Sequence, residues 1–307
     1  MTDAAYANRG YRRLFGSADL SIGLGLPLTA DRMSTPAIED EVALATHAES
    51  VGFDALWARD VPTYWPKFGD AGGAFDTWPL LSYLAARTDD IALGTSSVVL
   101  PLRHPIHVAK SAASVDRLSD GRLVLGVASG DRDPEYPAFG VDADTRGERV
   151  RESVDALRTL WREDFPTLDG SWGELDGDLT VLPDPTTDTL PLLPTGHARQ
   201  SVEWIAEHGD GWLFYHLPDD TLRTYVDKWR HLAGEKPFVI AVRVALADDP
   251  AAEPEHLHLG YRAGVEWFRD YFRRLDDYGL DHVIVSLAGD DPEETVTQFA
   301  EEIVDEF

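Results

Sequence analysis

Residues 195–200 combine a glycine with a cationic side chain, an arrangement that suits the binding of an anion. They read Thr-Gly-His-Ala-Arg-Gln and lie between an apolar run and an amphipathic run. Backbone N–H groups that open a helix point outward with a partial positive charge, and the guanidinium of Arg199 adds charge-assisted hydrogen bonds. The segment therefore predicts a phosphate site. An ordinary turn between a strand and a helix has the same pattern, and the turn alone favours that second interpretation.

Two further apolar runs change to small polar residues where we expect strands to end. The first reaches Ser96 and Ser97, and the second reaches Ser129 and Gly130. Small residues let a flat ligand approach the backbone closely. The aromatic residues near these strand ends are Trp57, Tyr64, Trp65, Tyr136, Trp212, Phe214 and Tyr215. Together they fit an extended planar cofactor with a phosphate tail; core packing is the alternative, which we favour for Trp57 and Phe214.

Metal-ion and nucleophilic chemistry have weaker support in the sequence. The closest histidine pairs are His104 with His107 and His256 with His258, and neither has a third ligand in register on a neighbouring strand end. The chain contains no cysteine and no Gly-x-Ser-x-Gly nucleophile motif. We therefore predict no metal site and no serine or cysteine nucleophile.

Alternating apolar and amphipathic segments position these candidate residues. Eight apolar runs predict strands, at residues 21–26, 53–57, 91–100, 123–128, 190–194, 211–215, 237–245 and 282–287. Each is followed by a segment that predicts a helix, at 36–51, 77–87, 106–118, 145–162, 200–208, 220–232, 255–278 and 292–307. This alternation indicates an α/β fold with a parallel sheet.

We expect a single domain over residues 1–307, folded as a (β/α)8 TIM barrel with insertions after strands 2 and 4, at 60–75 and 165–188. In such a barrel the active site lies at the C-terminal ends of the strands. The main alternative is an open, doubly wound sheet. Its nucleotide-binding motifs are missing, because the Gly23-x-Gly25 pair lacks a third glycine.

Charge and composition argue against several classes of protein. Lysine and arginine together number 27 against 55 aspartates and glutamates, a formal net charge of −28, and a surface this negative repels nucleic acid. No apolar run is long enough to span a membrane, and residues 1–10 lack a secretory signal pattern, so we expect a cytoplasmic protein. Lysine is scarce and acidic pairs recur, which we interpret as adaptation to a high-salt cytoplasm; an ordinary acidic protein is the alternative.

Several short segments, in order along the chain, resemble the bacterial luciferase-like flavin monooxygenase superfamily. They are 52–60 (GFDALWARD), 91–96 (IALGTS), 103–105 (RHP), 116–123 (DRLSDGRL), 125–131 (LGVASGD), 139–142 (FGVD) and 196–206 (GHARQSVEWIA). The resemblance implies a (β/α)8 barrel, frequently a homodimer, that binds FMN or a deazaflavin at the C-terminal mouth.

The resemblance also implies roles for individual residues. The residues that would hold the flavin phosphate are Gly196, His197, Ala198, Arg199 and Gln200, with Trp212 beside them. Ser96 and Ser97 would contact the ring from a strand on which relatives can carry a non-prolyl cis peptide, and Ser129 and Gly130 would border the ring. Two features depart from the pattern: His197 and Ala198 replace small hydroxyl residues, and no histidine ends strand 2, where Asp60 stands.

We therefore hypothesise an FMN-dependent monooxygenase that uses reduced flavin and O2 on a small organic substrate held under the 60–75 loop, with a flavin reductase as an expected partner. The cofactor would carry the chemistry, and the protein would supply position and a dry pocket. Asp60 and His104 are candidate proton handlers, although Asp60 pairing with Arg59 or Arg103, and His104 capping a helix, are equally good interpretations. The alternatives are a deazaflavin-dependent hydride-transfer oxidoreductase and a cofactor-free barrel hydrolase or lyase.

Overall fold

The computed structural model describes residues 6–27, 37–68 and 74–307. The strands in these ranges are β1 (Ser21–Leu26), β2 (Ala55–Ala58), β3 (Ala92–Val99), β4 (Leu123–Ala128), β5 (Thr167–Gly170), β6 (Gly173–Asp176), β7 (Leu192–Pro194), β8 (Trp212–Tyr215), β9 (Phe238–Leu246), β10 (Glu255–Leu257), β11 (Gly260–Ala263) and β12 (His282–Leu287). The helices are α1 (Arg9–Phe15), α2 (Ile38–Ser50), α3 (Thr77–Ala85), α4 (Pro105–Leu118), α5 (Glu135–Ala138), α6 (Arg146–Arg162), α7 (Val202–His208), α8 (Asp219–Ala233), α9 (Val265–Asp277) and α10 (Pro292–Glu302). Every helix in the described ranges is too short or too polar to cross a bilayer.

The predicted strands form a largely parallel sheet. Parallel ladders join β8 to β9, β9 to β12, and then β12, β1, β2, β3, β4 and β7 in that order. Between β7 and β8 the described residues form no ladder: one isolated bridge joins Thr195 to Leu213, and the Gly196 N–H donates to the Leu213 carbonyl at 2.8 Å. Pro194 ends β7 and has no N–H to give, which limits pairing there. The mixed α/β architecture is confirmed, but paired strands do not close the sheet.

The two faces of the sheet have different neighbours. Outward side chains pack under the helices, whereas the inward ones, such as Leu213 and Val239, form a separate interior cluster with Tyr11 and Leu14 of α1. Trp57 lies fully buried in this interior, and a Cβ on Gly94 would stand 2.3 Å from its ring. The interior face of the sheet is therefore packed with side chains.

Carboxylates secure the N-terminal ends of several strands. Asp54, Asp210 and Asp281 each accept a backbone N–H near the start of a strand, from Ile22, Leu192 and Phe238 at 3.0, 2.9 and 2.6 Å. Each carboxylate also pairs with an arginine: Arg13, Arg158 and Arg230 respectively. The N-terminal end of the sheet is thus held by charges that the chain itself neutralises.

The run at 116–123 has a structural role at the same end. Arg122, which is 2% exposed, donates hydrogen bonds of 2.8–2.9 Å to five acceptors, all in the same chain: the carbonyls of Ala85, Thr88, Ile91 and Ser119 and the Thr88 hydroxyl. Buried Asp116 accepts from Asn8 at 3.0 Å and from Thr186 at 2.7 Å. These contacts hold the start of β4 against helix α1 and against the segment around Thr186.

Several predicted boundaries were wrong. Residues 255–263, predicted as helix, form β10 and β11, and α9 begins only at Val265. The sequence alternates there between polar and apolar residues, a period typical of a strand. The segment at 165–188 contains the antiparallel β5–β6 hairpin, and α1 was not predicted. The expected start of the first helix, at Pro36, and residues 69–73 of the 60–75 loop lie outside the described residues.

Candidate cofactor site and active site

The C-terminal ends of the parallel strands surround an opening, which we call the mouth. Side chains alternate between faces along a strand, so residues two positions beyond an interior residue face the same space. Leu213 and Val239 are interior residues. Tyr215, at the end of β8, and Arg243, near the end of β9, therefore face the mouth, and both are exposed.

Ser96 and Ser97 lie on one wall of the mouth. A register shift in the β3–β4 ladder, between Thr95 and Val98, places both serines opposite the single residue Gly126. Both are half-buried, and the peptide bond between them is cis. The Ser97 hydroxyl forms a short hydrogen bond with the Thr195 hydroxyl at the end of β7. The cis peptide expected from the family resemblance is confirmed.

The loop 196–199, between β7 and α7, presents backbone donors. Within the described chain no acceptor takes the N–H groups of His197, Ala198 and Arg199, whereas the Gly196 N–H donates to Leu213. Gly196, Ala198 and Arg199 have φ values of 57°, 46° and 60°, a left-handed conformation that glycine tolerates best. Successive N–H groups in such a turn can converge on one anion.

Neighbouring groups hold this loop and add positive charge. The Gln200 amide donates to the Gly147 carbonyl at 2.7 Å, and its oxygen accepts from Arg151 at 2.9 Å. Arg146, Arg151 and Arg199 line a cleft of about 360 Å³ beside the loop, together with Asp144 and Glu148, so the arginines outnumber the carboxylates there. Unpaired amides next to guanidinium groups form a donor set that fits a phosphate.

One detail of the predicted phosphate site was wrong, and two of its predicted residues have hydrogen-bond partners within the chain. The helix begins at Val202, with Ser201 as its N-cap, so the free donors belong to the loop and not to a helix that opens at residue 200. Gln200 uses its amide within the chain, so it positions the loop. Trp212 is completely buried; its indole N–H donates to the Gly196 carbonyl at 2.6 Å, and it also acts as a positioning residue.

The remaining predicted ring contacts lie at the end of β4. Ser129 is buried, and Gly130 has φ of 80°. A Cβ on Gly130 would stand 2.7 Å from a methyl of Val99 and 2.8 Å from the Tyr136 hydroxyl, which itself donates to the Ser129 carbonyl. This tight turn keeps the backbone of β4 close to that of β3.

The two predicted proton handlers have structural partners. Asp60, at the end of β2, accepts from Arg103 at 2.8 and 2.5 Å and from the Val99 N–H at 3.1 Å. The hydrogen bond and ion pair with Asp60 raise the pKa of Arg103. The exposed His104 caps α4 by accepting from the Ile106 N–H at 3.3 Å. The anticipated pairing of Asp60 and capping by His104 are both present.

Sequence reasoning missed Arg243 and Ser286 at the mouth. Arg243 is the one charged residue in the run FVIAVRVAL, where every second side chain faces the interior. Arg243 stands where the alternation of the strand places a side chain on the interior face. A charged residue at such a position near the end of a strand is a signal from which Arg243 could have been predicted. Ser286 pairs in register with Arg243 on β12, and its hydroxyl would stand 3.1 Å from a Cβ on Gly25, so it also faces inward.

Comparisons with known proteins agree with this fold. Residues 22–292 match the family described as luciferase-like monooxygenase. The oxygenase component of flavin-dependent trigonelline monooxygenase from Acinetobacter baylyi is 31% identical over 175 residues, which cover 56% of this chain and 45% of that protein. F420-dependent hydroxymycolic acid dehydrogenase from Mycobacterium tuberculosis is 29% identical over 243 residues, covering 76% and 65%. The solved structure of monooxygenase RslO1 from Streptomyces bottropensis has a TM-score of 0.78 at 20% identity, covering 94% of this chain and 99% of that chain.

Proposed function

The chain belongs to the luciferase-like monooxygenase family, and from that premise we propose that it is an FMN-dependent monooxygenase acting on a small organic substrate. The observation that carries the proposal is the loop 196–199, whose N–H groups at His197, Ala198 and Arg199 have no acceptor in the described chain. Ala198 is buried, and a buried donor without a partner is costly unless a ligand supplies the acceptor, whereas the exposed His197 and Arg199 are open to a ligand from solvent.

In this proposal each part of the mouth has a binding task. The loop 196–199 and the Arg199 guanidinium hold the cofactor phosphate, while Ser96, Ser97, Ser129 and Gly130 border the ring. When bound, reduced flavin supplies the electrons that activate O2. The Asp60–Arg103 pair keeps the ends of β2 and β3 together beside the ring. Proton transfer by Asp60 or His104 stays a prediction.

A deazaflavin-dependent hydride-transfer oxidoreductase is the second candidate, since F420-dependent dehydrogenases are among the relatives. The end of β2 favours FMN over deazaflavin. Many deazaflavin relatives, and luciferase itself, are expected to place a histidine there, whereas this chain has Arg59-Asp60-Val61. The Asp60 carboxylate is moreover bonded to Arg103 and Val99, so it does not replace a free imidazole.

Titration of the protein with FMN and, separately, with F420 tests the choice, with cofactor absorbance and fluorescence as readouts. We expect FMN to bind more tightly, and reduced FMN on the protein to consume O2. Tight binding of F420 without binding of FMN would identify the protein as a deazaflavin-dependent oxidoreductase instead. Binding of neither, together with hydrolytic or lyase turnover, would give a cofactor-free enzyme.

We extend the proposal to architecture and partners. The eight parallel strands would form a closed (β/α)8 barrel in one domain, with the Thr195–Leu213 bridge as the seam and insertions after β2 and β4. A separate reductase would supply reduced FMN, as the name "oxygenase component" suggests for the Acinetobacter relative. We also propose that the protein is a homodimer and that it works in a high-salt cytoplasm. A melting temperature that rises with KCl concentration would support the salt adaptation, and one that falls would oppose it.

A further inference from the structure

Most arginines of this acidic chain have a partner. The described arginines whose side chains make no hydrogen bond, ion pair or ring contact are Arg162, Arg199, Arg243 and Arg262. Arg162 ends helix α6 on the outer surface, and Arg199 belongs to the loop 196–199. Arg243 and Arg262 remain, and nothing in the proposed cofactor site uses them.

Arg243 and Arg262 share one face of the sheet. β11 runs parallel to the second half of β9, with Gly260 opposite Arg243 and Arg262 opposite Ala245. Arg262 is therefore on the strand next to that of Arg243, and it lies two residues nearer the C-terminal ends of the strands. Paired residues of neighbouring strands point to the same side, so both side chains are on the inner face, above Val239 and Ala241.

Strand geometry brings the two guanidinium groups within reach of one anion. Strands about 4.8 Å apart and a rise of about 3.3 Å per residue separate the two Cα atoms by roughly 8 Å. Ser286, which is opposite Arg243 on β12, adds a hydroxyl donor on the same face. Two guanidinium forks and a hydroxyl form a donor set that suits a carboxylate or a phosphate.

Acidic residues are abundant, yet they do not neutralise this pair. The chain has 55 acidic residues, and Glu255 is even the register partner of Arg262 on β10. No ion pair within 4.0 Å forms between Glu255 and Arg262 in the described structure. Two like charges at roughly 8 Å repel by about 0.5 kcal/mol even in water. A ligand that brings its own negative charge removes this repulsion.

We propose that Arg243 and Arg262 bind an anionic group, a carboxylate or a phosphate, on the substrate. The inference rests on the proposed function, which places the cofactor against β3, β4 and the loop 196–199 and leaves the β9–β11 side of the mouth to the substrate. A small organic acid or phosphate ester would then enter with its charged group at Arg243 and its apolar part toward the cofactor ring.

The test uses protein saturated with FMN, so that the phosphate loop is occupied. Phenyl phosphate, benzoate and neutral benzyl alcohol are titrated at low ionic strength, and calorimetry measures their dissociation constants. The variants are Arg243→Gln and Arg262→Gln. Arg162→Gln is the matched control, because it removes the same charge from an arginine that is also unpartnered but far from the mouth.

We expect at least one of the two anions to bind, and each mouth variant to weaken it about tenfold or more, while Arg162→Gln leaves it unchanged. The anion that binds more tightly identifies the group as carboxylate or phosphate. The inference is overturned if neither anion binds, if benzyl alcohol binds as well as they do, or if Arg243→Gln has no effect. FMN affinity reports separately on the proposed function, and the exposed Arg243→Gln and Arg262→Gln changes should leave it and the melting temperature unchanged.

Discussion

The arginines that we describe at the N-terminal end of the strands are satisfied by their own chain, whereas two at the C-terminal mouth are not, although Arg103 there pairs with Asp60. Arg122 donates to five acceptors, and Arg158 and Arg230 each pair with an aspartate that also holds a strand. Arg199 and Arg243 have no such partner among the described residues. The same side chain therefore stabilises the fold at one end and is free to bind a ligand at the other.

The difference has a physical basis in burial. A buried charge loses its hydration, so it must find internal acceptors or the fold becomes unstable. An exposed guanidinium keeps its water and can exchange that water for a ligand. Substitutions at the N-terminal end should therefore lower stability, and substitutions at the mouth should lower binding with little change in stability.

The largest effect is expected from Arg122→Met. It leaves four buried carbonyls without their donor, and we expect the free energy of unfolding to fall by about 3–5 kcal/mol. Urea denaturation measures this change. Arg162→Met on the exposed end of α6 is the control and should alter stability by no more than about 0.5 kcal/mol. If the two substitutions lower the free energy of unfolding equally, the hydrogen bonds of Arg122 do not stabilise the fold more than an arginine without partners does.

A second effect at the same end depends on pH. His282 is fully buried between Trp57, whose indole N–H donates to Nε2 at 2.9 Å, and Ser21. Burial lowers the pKa of His282 from 6.5 to about 3. The unfolded chain therefore takes up the proton first, and stability is lost as pH falls from about 6.5 toward 3.

Between pH 7 and 5, wild type should lose about 2 kcal/mol more unfolding free energy than His282→Gln, which has no proton to gain. Denaturation at both pH values measures the difference. If the two proteins lose the same amount, His282 is not held neutral by burial. NMR titration of the imidazole gives an independent control, because it should show no protonation of His282 above about pH 4.

A smaller effect is expected at the mouth, from Trp212→Phe. The substitution removes the N–H that holds the Gly196 carbonyl, a single hydrogen bond of about 1 kcal/mol. FMN affinity should weaken about fivefold, while O2 consumption at saturating FMN stays near wild type. Unchanged affinity would mean that this bond does not position the loop. Trp229→Phe, which removes an indole bond to the Lys236 carbonyl away from the mouth, is the control.

The sequence predicted the elements better than their ends. Eight strands of the parallel sheet were anticipated from apolar runs, because a strand buried on both faces has a strong signal, whereas β11, which also pairs parallel to β9, was not. The β10–β11 hairpin was missed because its alternating residues stand directly before an amphipathic helix. The loop 196–199 was predicted as a binding segment. The hydrogen bond from the Gly196 N–H to the Leu213 carbonyl was not predicted, because it depends on a contact between β7 and β8 that no local sequence pattern shows.

The arginines illustrate the same limit. Arg122 and Arg243 each stand at one end of an apolar strand, and the sequence alone does not say which of them has partners. Four of the five acceptors of Arg122 come from residues 85–91, which only the parallel pairing of β3 with β4 brings close. The function of a charge at a strand end is therefore a property of the tertiary fold.

In the proposed site the free amides of the loop 196–199 hold an anionic tail, and FMN and riboflavin differ only in the phosphate of that tail. We predict that wild type binds FMN about 100-fold or more tightly than riboflavin at the same ionic strength. Gly196→Asp should abolish this preference, whereas the uncharged Gly196→Asn, which also tolerates the left-handed conformation, should largely keep it. Equal affinity of wild type for FMN and riboflavin would mean that these amides do not bind the phosphate.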